Sequence, residues 1–112
     1  KHAINGVVVT LQAEPNARIH LLAMLLSIFA GFFFTISIYE WFAIIFAITL
    51  VFSMELVNSA IENISDLVSK EENPYIKKAK DQGAAAVLVA SIAALIIGIV
   101  IFLPKILIWI KA

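Results

Sequence analysis

The 112-residue chain has no cysteine, four glycines, three prolines and two histidines, and only 14% of its residues are charged. Without cysteine, disulfides, thiol catalysis and Cys-type zinc sites are all excluded, and His2 and His20 have no metal-ligand spacing. Gly6, Gly31, Gly83 and Gly98 belong to no phosphate-cradling loop, so a Walker loop and a soluble-kinase signature are both missing. Eight basic and eight acidic residues cancel. With no Lys/Arg cluster interleaved with aromatics, the composition argues against nucleic acid as a partner. Nothing near the start resembles a cleavable signal, so insertion is expected to rely on the spans themselves. The chain opens at Lys1 rather than Met, and a few residues are expected ahead of it.

What is present is apolar: 62% of residues are hydrophobic and the mean hydropathy is +1.02. This balance belongs to an integral membrane protein, and the length to one small domain over residues 1–112. Ile4, Val7, Val8 and Leu11 recur at helical spacing beside Asn5, Thr10 and Gln12, which predicts a surface amphipathic helix over about 3–13, ended by Glu14-Pro15. From Leu21 to Tyr39 no residue is charged, close to the roughly 20 residues that cross a bilayer core. A short connection at Glu40 and Trp41 leads into a second span over 41–65. A charged loop, Leu67 to Lys80, holds Asn73-Pro74 as a turn signal. A third span runs over about 82–103, interrupted by Pro104 and Lys105. The expected fold class is an all-α membrane protein, a surface helix plus three transmembrane helices. Lys1, Arg18, Lys70, Lys77, Lys78 and Lys80 fall on one side of this arrangement and Lys105 and Lys111 on the other, so the former side is expected to face the cytoplasm of a multi-pass cell-membrane protein. Small residues repeat every four positions at Ala86, Ala90, Ala94 and Gly98, and at Ala23, Ser27, Gly31 and Thr35, as helix-packing ridges that suit a self-associated bundle.

Polar residues inside the second span carry the chemistry. At about 100° per residue, Glu55, Asn58, Glu62 and Asp66 fall at approximately 0°, 300°, 340° and 20°, one narrow stripe. At about 1.5 Å per residue from Trp41, Glu55 lies roughly 21 Å in, Glu62 roughly 31 Å and Asp66 roughly 37 Å. Glu55 is therefore inside the hydrocarbon, where apolar surroundings disfavour a charged carboxylate and favour one that takes up a proton, as a general base must. Glu62, at the interface, suits magnesium, which takes carboxylates together with substrate phosphates, and Glu14 emerges at the same depth to share the cation. On residue types alone the stripe also fits, as the lesser alternative, interhelical hydrogen bonds or an ion or proton pathway through an oligomer. Lys80 and Asp81, like Arg18 and His20, fit interfacial anchors, and Glu71, Glu72 and Asn73 a solvated turn. A pathway needs polar groups along its whole length, whereas Trp41 to Phe52 offers only Thr49 and Gly83 to Leu103 only Ser91.

The run Glu55-Leu56-Val57-Asn58-Ser59-Ala60-Ile61-Glu62, then Asp66, then Lys80-Asp81 before an alanine-rich span, resembles the signature of the small prokaryotic integral membrane lipid kinases, the diacylglycerol kinase family that also contains undecaprenol kinases. Glu14 and Arg18 match the family's other acidic segment in position and order. The resemblance implies a homotrimer of three-span subunits that transfers the terminal phosphoryl group of magnesium-bound ATP to a lipid hydroxyl. By matching positions, Glu55 is the catalytic base and Glu14 and Glu62 are the metal ligands. ATP contacts fall on Glu14, Asn58, Glu62, Asp66, Glu71, Glu72, Asn73, Lys80 and Asp81. Lipid contacts fall on Asn16, Ala17, Arg18, Ile19, His20, Glu55 and Ala84. Ser65 departs from the family's usual small apolar residue, and the family's first nucleotide contacts fall ahead of Lys1. The segment Glu14 to Leu22, with Ile101 to Pro104, is more similar to the undecaprenol kinase branch than to the diacylglycerol kinase branch.

Overall fold

The computed structural model describes every residue except Glu72. It is all-helical, with α1 at His2–Ala13, α2 at Pro15–Phe33, α3 at Ile38–Val68 and α4 at Pro74–Lys111. The last three helices are long and apolar enough to cross a membrane. Among the described residues only seven apolar side chains are buried, whereas Phe29, Phe32, Phe46, Leu95 and Trp109 are at least 60% exposed. Surface of that kind is stable against lipid rather than water.

Local chemistry sets the helix ends, and several differ from the sequence expectation. α2 stops at Phe33, six residues before Tyr39, because Thr35 turns through a positive φ of 49°. Ser37 then caps α3: its Oγ accepts from the Glu40 amide at 3.2 Å while Glu40 Oε1 accepts from the Ser37 amide at 2.9 Å. This reciprocal capping box satisfies two otherwise orphaned donors, so Glu40 and Trp41 lie inside α3 rather than in the connection. Asn73-Pro74 is likewise a helix start rather than a mid-loop turn. Asn73 Oδ1 accepts from the Tyr75 amide at 2.9 Å and Pro74 occupies the first helical position, so the segment up to Lys80 is helical. Pro104 does not interrupt α4, which continues to Lys111. Proline is tolerated in membrane helices because neighbouring groups can satisfy the carbonyl it frees, and one residue on Lys105 Nζ donates to the Ile101 carbonyl at 3.2 Å.

α3 and α4 form the main antiparallel pair, α2 packs on α3, and α1 lies against both α2 and α3. An ion pair frames each end of the α3–α4 pair: Lys80–Asp66 at 2.7 Å and Lys105–Glu40 at 2.6 Å. Twenty-six residues of α3 separate the two pairs, about 39 Å, which exceeds the roughly 30 Å hydrocarbon core and stays within the bilayer with its headgroups. The pairs thus fix the register of the two helices and place their charges at opposite interfaces. Close approach between the helices uses the small residues unevenly. Gly31 lies under the Trp41 ring, where a Cβ would sit 2.5 Å from Cη2, and Ala90 is 2% exposed. Around Gly98, by contrast, the space is open.

Candidate active site

The buried face of α3 runs Ile44, Ala47, Val51, Glu55, Ser59, so an apolar packing stripe turns polar at Glu55 without changing direction. Glu55 is only 3% exposed. Its carboxylate Oε2 stands 3.7 Å from His20 Nε2 on α2. Glu14, at the break between α1 and α2, and Glu62, two turns along α3, both lie within Coulombic range of it. Thus the α1–α2 break, α2 and α3 bring two further carboxylates and one imidazole within electrostatic reach of Glu55.

Toward the membrane interior, α2, α3 and α4 enclose a groove of about 430 Å³. His20 stands at its head. The walls descend through Met24, Ser27, Ile48, Phe52 and Gly98 to Leu103 and Ile106. Ser91 also lines it, with a buried Oγ that has no hydrogen-bond partner. The α3–α4 register places Ser91 within about one turn of the level of Glu55. A cavity of this size, apolar with a few polar groups at one end, is the usual form of a small-molecule site.

On the other side of Glu55 the stripe opens to water. Asn58 is half-buried, and its Oδ1 has no partner and faces Gly83, where a Cβ would meet it at 2.5 Å. Only glycine lets α4 pass this close to the amide. Lys80, half-buried, is held by Asp66, and Asp81 by Lys77 at 2.7 Å, so these charges sit beside the stripe but are already paired. Glu71 donates its amide to Ser69 Oγ at 3.1 Å, and Asn73 spends its side-chain oxygen on the α4 cap. Glu72 lies outside the described residues. Of the first-turn segment of α2, Ala17 is fully buried while Asn16, Arg18 and Ile19 are exposed, and Ala84 is exposed on α4.

The donor set fits a magnesium ion bound with a phosphate. Glu14 and Glu62 make no salt bridge among the described residues, and each adds a like charge within range of Glu55. A cation offsets that repulsion. No three His, Asp or Glu side chains converge as a metal cage among the described residues; magnesium commonly takes one or two carboxylates and completes its shell with water and phosphate.

A short N-terminal helix, three apolar spans and a buried carboxylate beside the imidazole that lines a groove between them suit an integral membrane lipid kinase, and the family match shows that class. The chain belongs to the prokaryotic diacylglycerol kinase family, whose model matches residues 1–102. It is 41% identical over 104 residues to the undecaprenol kinase of Bacillus subtilis, covering 93% of this chain and 85% of that protein. It is 33% identical over 108 residues to the diacylglycerol kinase of Synechocystis, covering 96% and 62%. With the diacylglycerol kinase of Haemophilus influenzae it shares 32% over 100 residues, covering 89% and 82%.

Sequence reasoning read His20 as an anchor and overlooked both its approach to Glu55 and the Asn58–Gly83 contact. The second had a signal, a glycine opening an alanine-rich span. The first had none, since it joins residues 35 apart on different helices.

Proposed function

We propose that this protein phosphorylates undecaprenol, taking the terminal phosphoryl group from ATP at a magnesium-dependent site on the cytoplasmic side of the cell membrane, as a homotrimer. The observation that carries this reading is the buried Glu55 carboxylate, 3.7 Å from the His20 imidazole that lines an apolar groove. A lipid alcohol lying in the groove brings its hydroxyl to Glu55, while nucleotide approaches from water along Asn58, Glu62 and Asp66. Glu55 takes the hydroxyl proton as the acceptor oxygen bonds to the γ-phosphorus, and the bond to the β-phosphate oxygen breaks to release ADP. Glu14 and Glu62 are the ligands of the magnesium, which neutralises phosphate charge when bound. Lys80 exchanges Asp66 for phosphate, and Asn58 fixes the nucleotide's position. Glu71, Glu72, Asn73 and Asp81 border the nucleotide, and Asn16 to His20 with Ala84 border the lipid.

The acceptor assignment is supported by the 41% identity to an undecaprenol kinase. The thin intrachain core supports self-association. Diacylglycerol is the second acceptor, favoured by the relatives named diacylglycerol kinase. Labelled phosphate transfer to both lipids, side by side in vesicles, is the test. Undecaprenol is expected to be the better acceptor by kcat/KM, and a preference for diacylglycerol would reverse the assignment.

A further inference from the structure

We infer that His20 is a positioning residue for Glu55, holding the carboxylate in its ionised, proton-accepting form and carrying the accepted proton out to water. The inference rests on the reading of Glu55 as the base. His20 Nε2 stands 3.7 Å from Glu55 Oε2, with the Glu55 side chain 4% exposed and that of His20 23% exposed. One group is therefore sealed, whereas its neighbour is partly open and lines the groove. The separation is that of an ion pair, and such contacts tighten to hydrogen bonds when substrate closes the site.

Charge makes the pairing necessary. Facing Glu55 are His20 from α2, Glu14 from the α1–α2 break and Glu62 from α3. Among the described residues α1 presents no charged group within range, and the nearest cation of α4, Lys80, is held by Asp66 and acts on Glu62. Among the described residues His20 is thus the one basic group that compensates the buried carboxylate. In each turnover the proton leaves the lipid hydroxyl for Glu55 as the O–P bond forms. The imidazolium then releases its own proton to water and the Glu55 proton passes to the vacated His20 Nε2, which restores the carboxylate beside a cation for the next acceptor.

The test uses the full chain in phospholipid vesicles with undecaprenol, comparing parent, H20Q, E55Q and the double variant across pH. Glutamine keeps the size and a donor but cannot titrate. H20Q is expected to keep its KM for magnesium-ATP, to lose about tenfold in kcat, and to show an acid limb moved to higher pH by about one unit. The double variant is expected to be no slower than E55Q, because His20 acts through Glu55. In the parent, NMR titration of the His20 imidazole is expected to change when Glu55 becomes glutamine, a readout independent of how H20Q folds. An H20Q profile that overlays the parent, independent losses in the double variant, or a His20 titration indifferent to E55Q would each overturn the inference. Absence of any lipid phosphorylation by the parent would overturn the kinase reading beneath it.

Discussion

Replacing Gly83 with alanine places a methyl carbon 2.5 Å from Asn58 Oδ1, 3.4 Å from Ile61 Cδ1 and 3.5 Å from Asn58 Cγ. Only the first contact is intolerable, and relieving it to ordinary contact needs a shift of roughly 1 Å. Two responses compete. Pushing α3 and α4 apart overpacks their interface, at about 1–3 kcal/mol. Rotating Asn58 off its rotamer costs about 0.5–1.5 kcal/mol. Asn58 Oδ1 forfeits no hydrogen bond by moving, so the side chain yields and the helices stay. The fold should therefore survive while Asn58, proposed to position the nucleotide, is displaced by about 1 Å, a misplacement that can lower turnover by about 10²-fold. The assay is steady-state ATP-dependent lipid phosphorylation beside thermal unfolding in detergent. Expected is a loss of about 10- to 100-fold in kcat/KM for ATP with stability changed by no more than about 1.5 kcal/mol. Gly6→Ala, on α1 with open space around it, is the control and should keep parent kinetics. Parent kinetics in G83A would refute the placement of Asn58 in the site.

Two further outcomes follow from the same geometry. Glu14→Gln and Glu62→Gln each remove one of two carboxylates offered to magnesium, so activity should require markedly more magnesium while assembly persists; titrations that overlay the parent would remove the shared site. Gly98→Leu projects a side chain into the open groove and should raise KM for the lipid alcohol with KM for ATP unchanged; an unchanged lipid KM would show that the acceptor lies elsewhere.

The helical architecture was legible because a bilayer leaves few options: three long apolar runs, one amphipathic stretch and a stripe of carboxylates read directly as helices, depth and a shared face. Helix ends were read less well. The capping box of Ser37 and Glu40 was present in the sequence as a serine followed three residues later by a glutamate, but two adjacent aromatics, Tyr39 and Trp41, suggested an interface there instead. Pro104 read as a stop because proline removes an amide donor, and only the packed context shows the helix continuing. Within the site, Glu55, Asn58, Glu62 and Asp66 were visible as one stripe because they share a helix. Contacts that join helices, His20 to Glu55, Asn58 to Gly83 and Lys105 to Glu40, depend on tertiary register, which no local period encodes.

The central claim is that a buried glutamate deprotonates a lipid alcohol, and Glu55→Gln tests it most directly because size and packing are kept while the proton-accepting oxygen is lost. The measurement is single-turnover phosphate transfer from magnesium-ATP to undecaprenol in vesicles, with nucleotide binding and transmembrane flux followed in the same preparation. The account predicts transfer slowed by about 10²-fold or more, nucleotide binding retained, and no proton or cation flux in parent or variant. Transfer at the parent rate would contradict the role of Glu55, and flux in the parent abolished by E55Q, with neither lipid phosphorylated, would replace the kinase by an ion pathway.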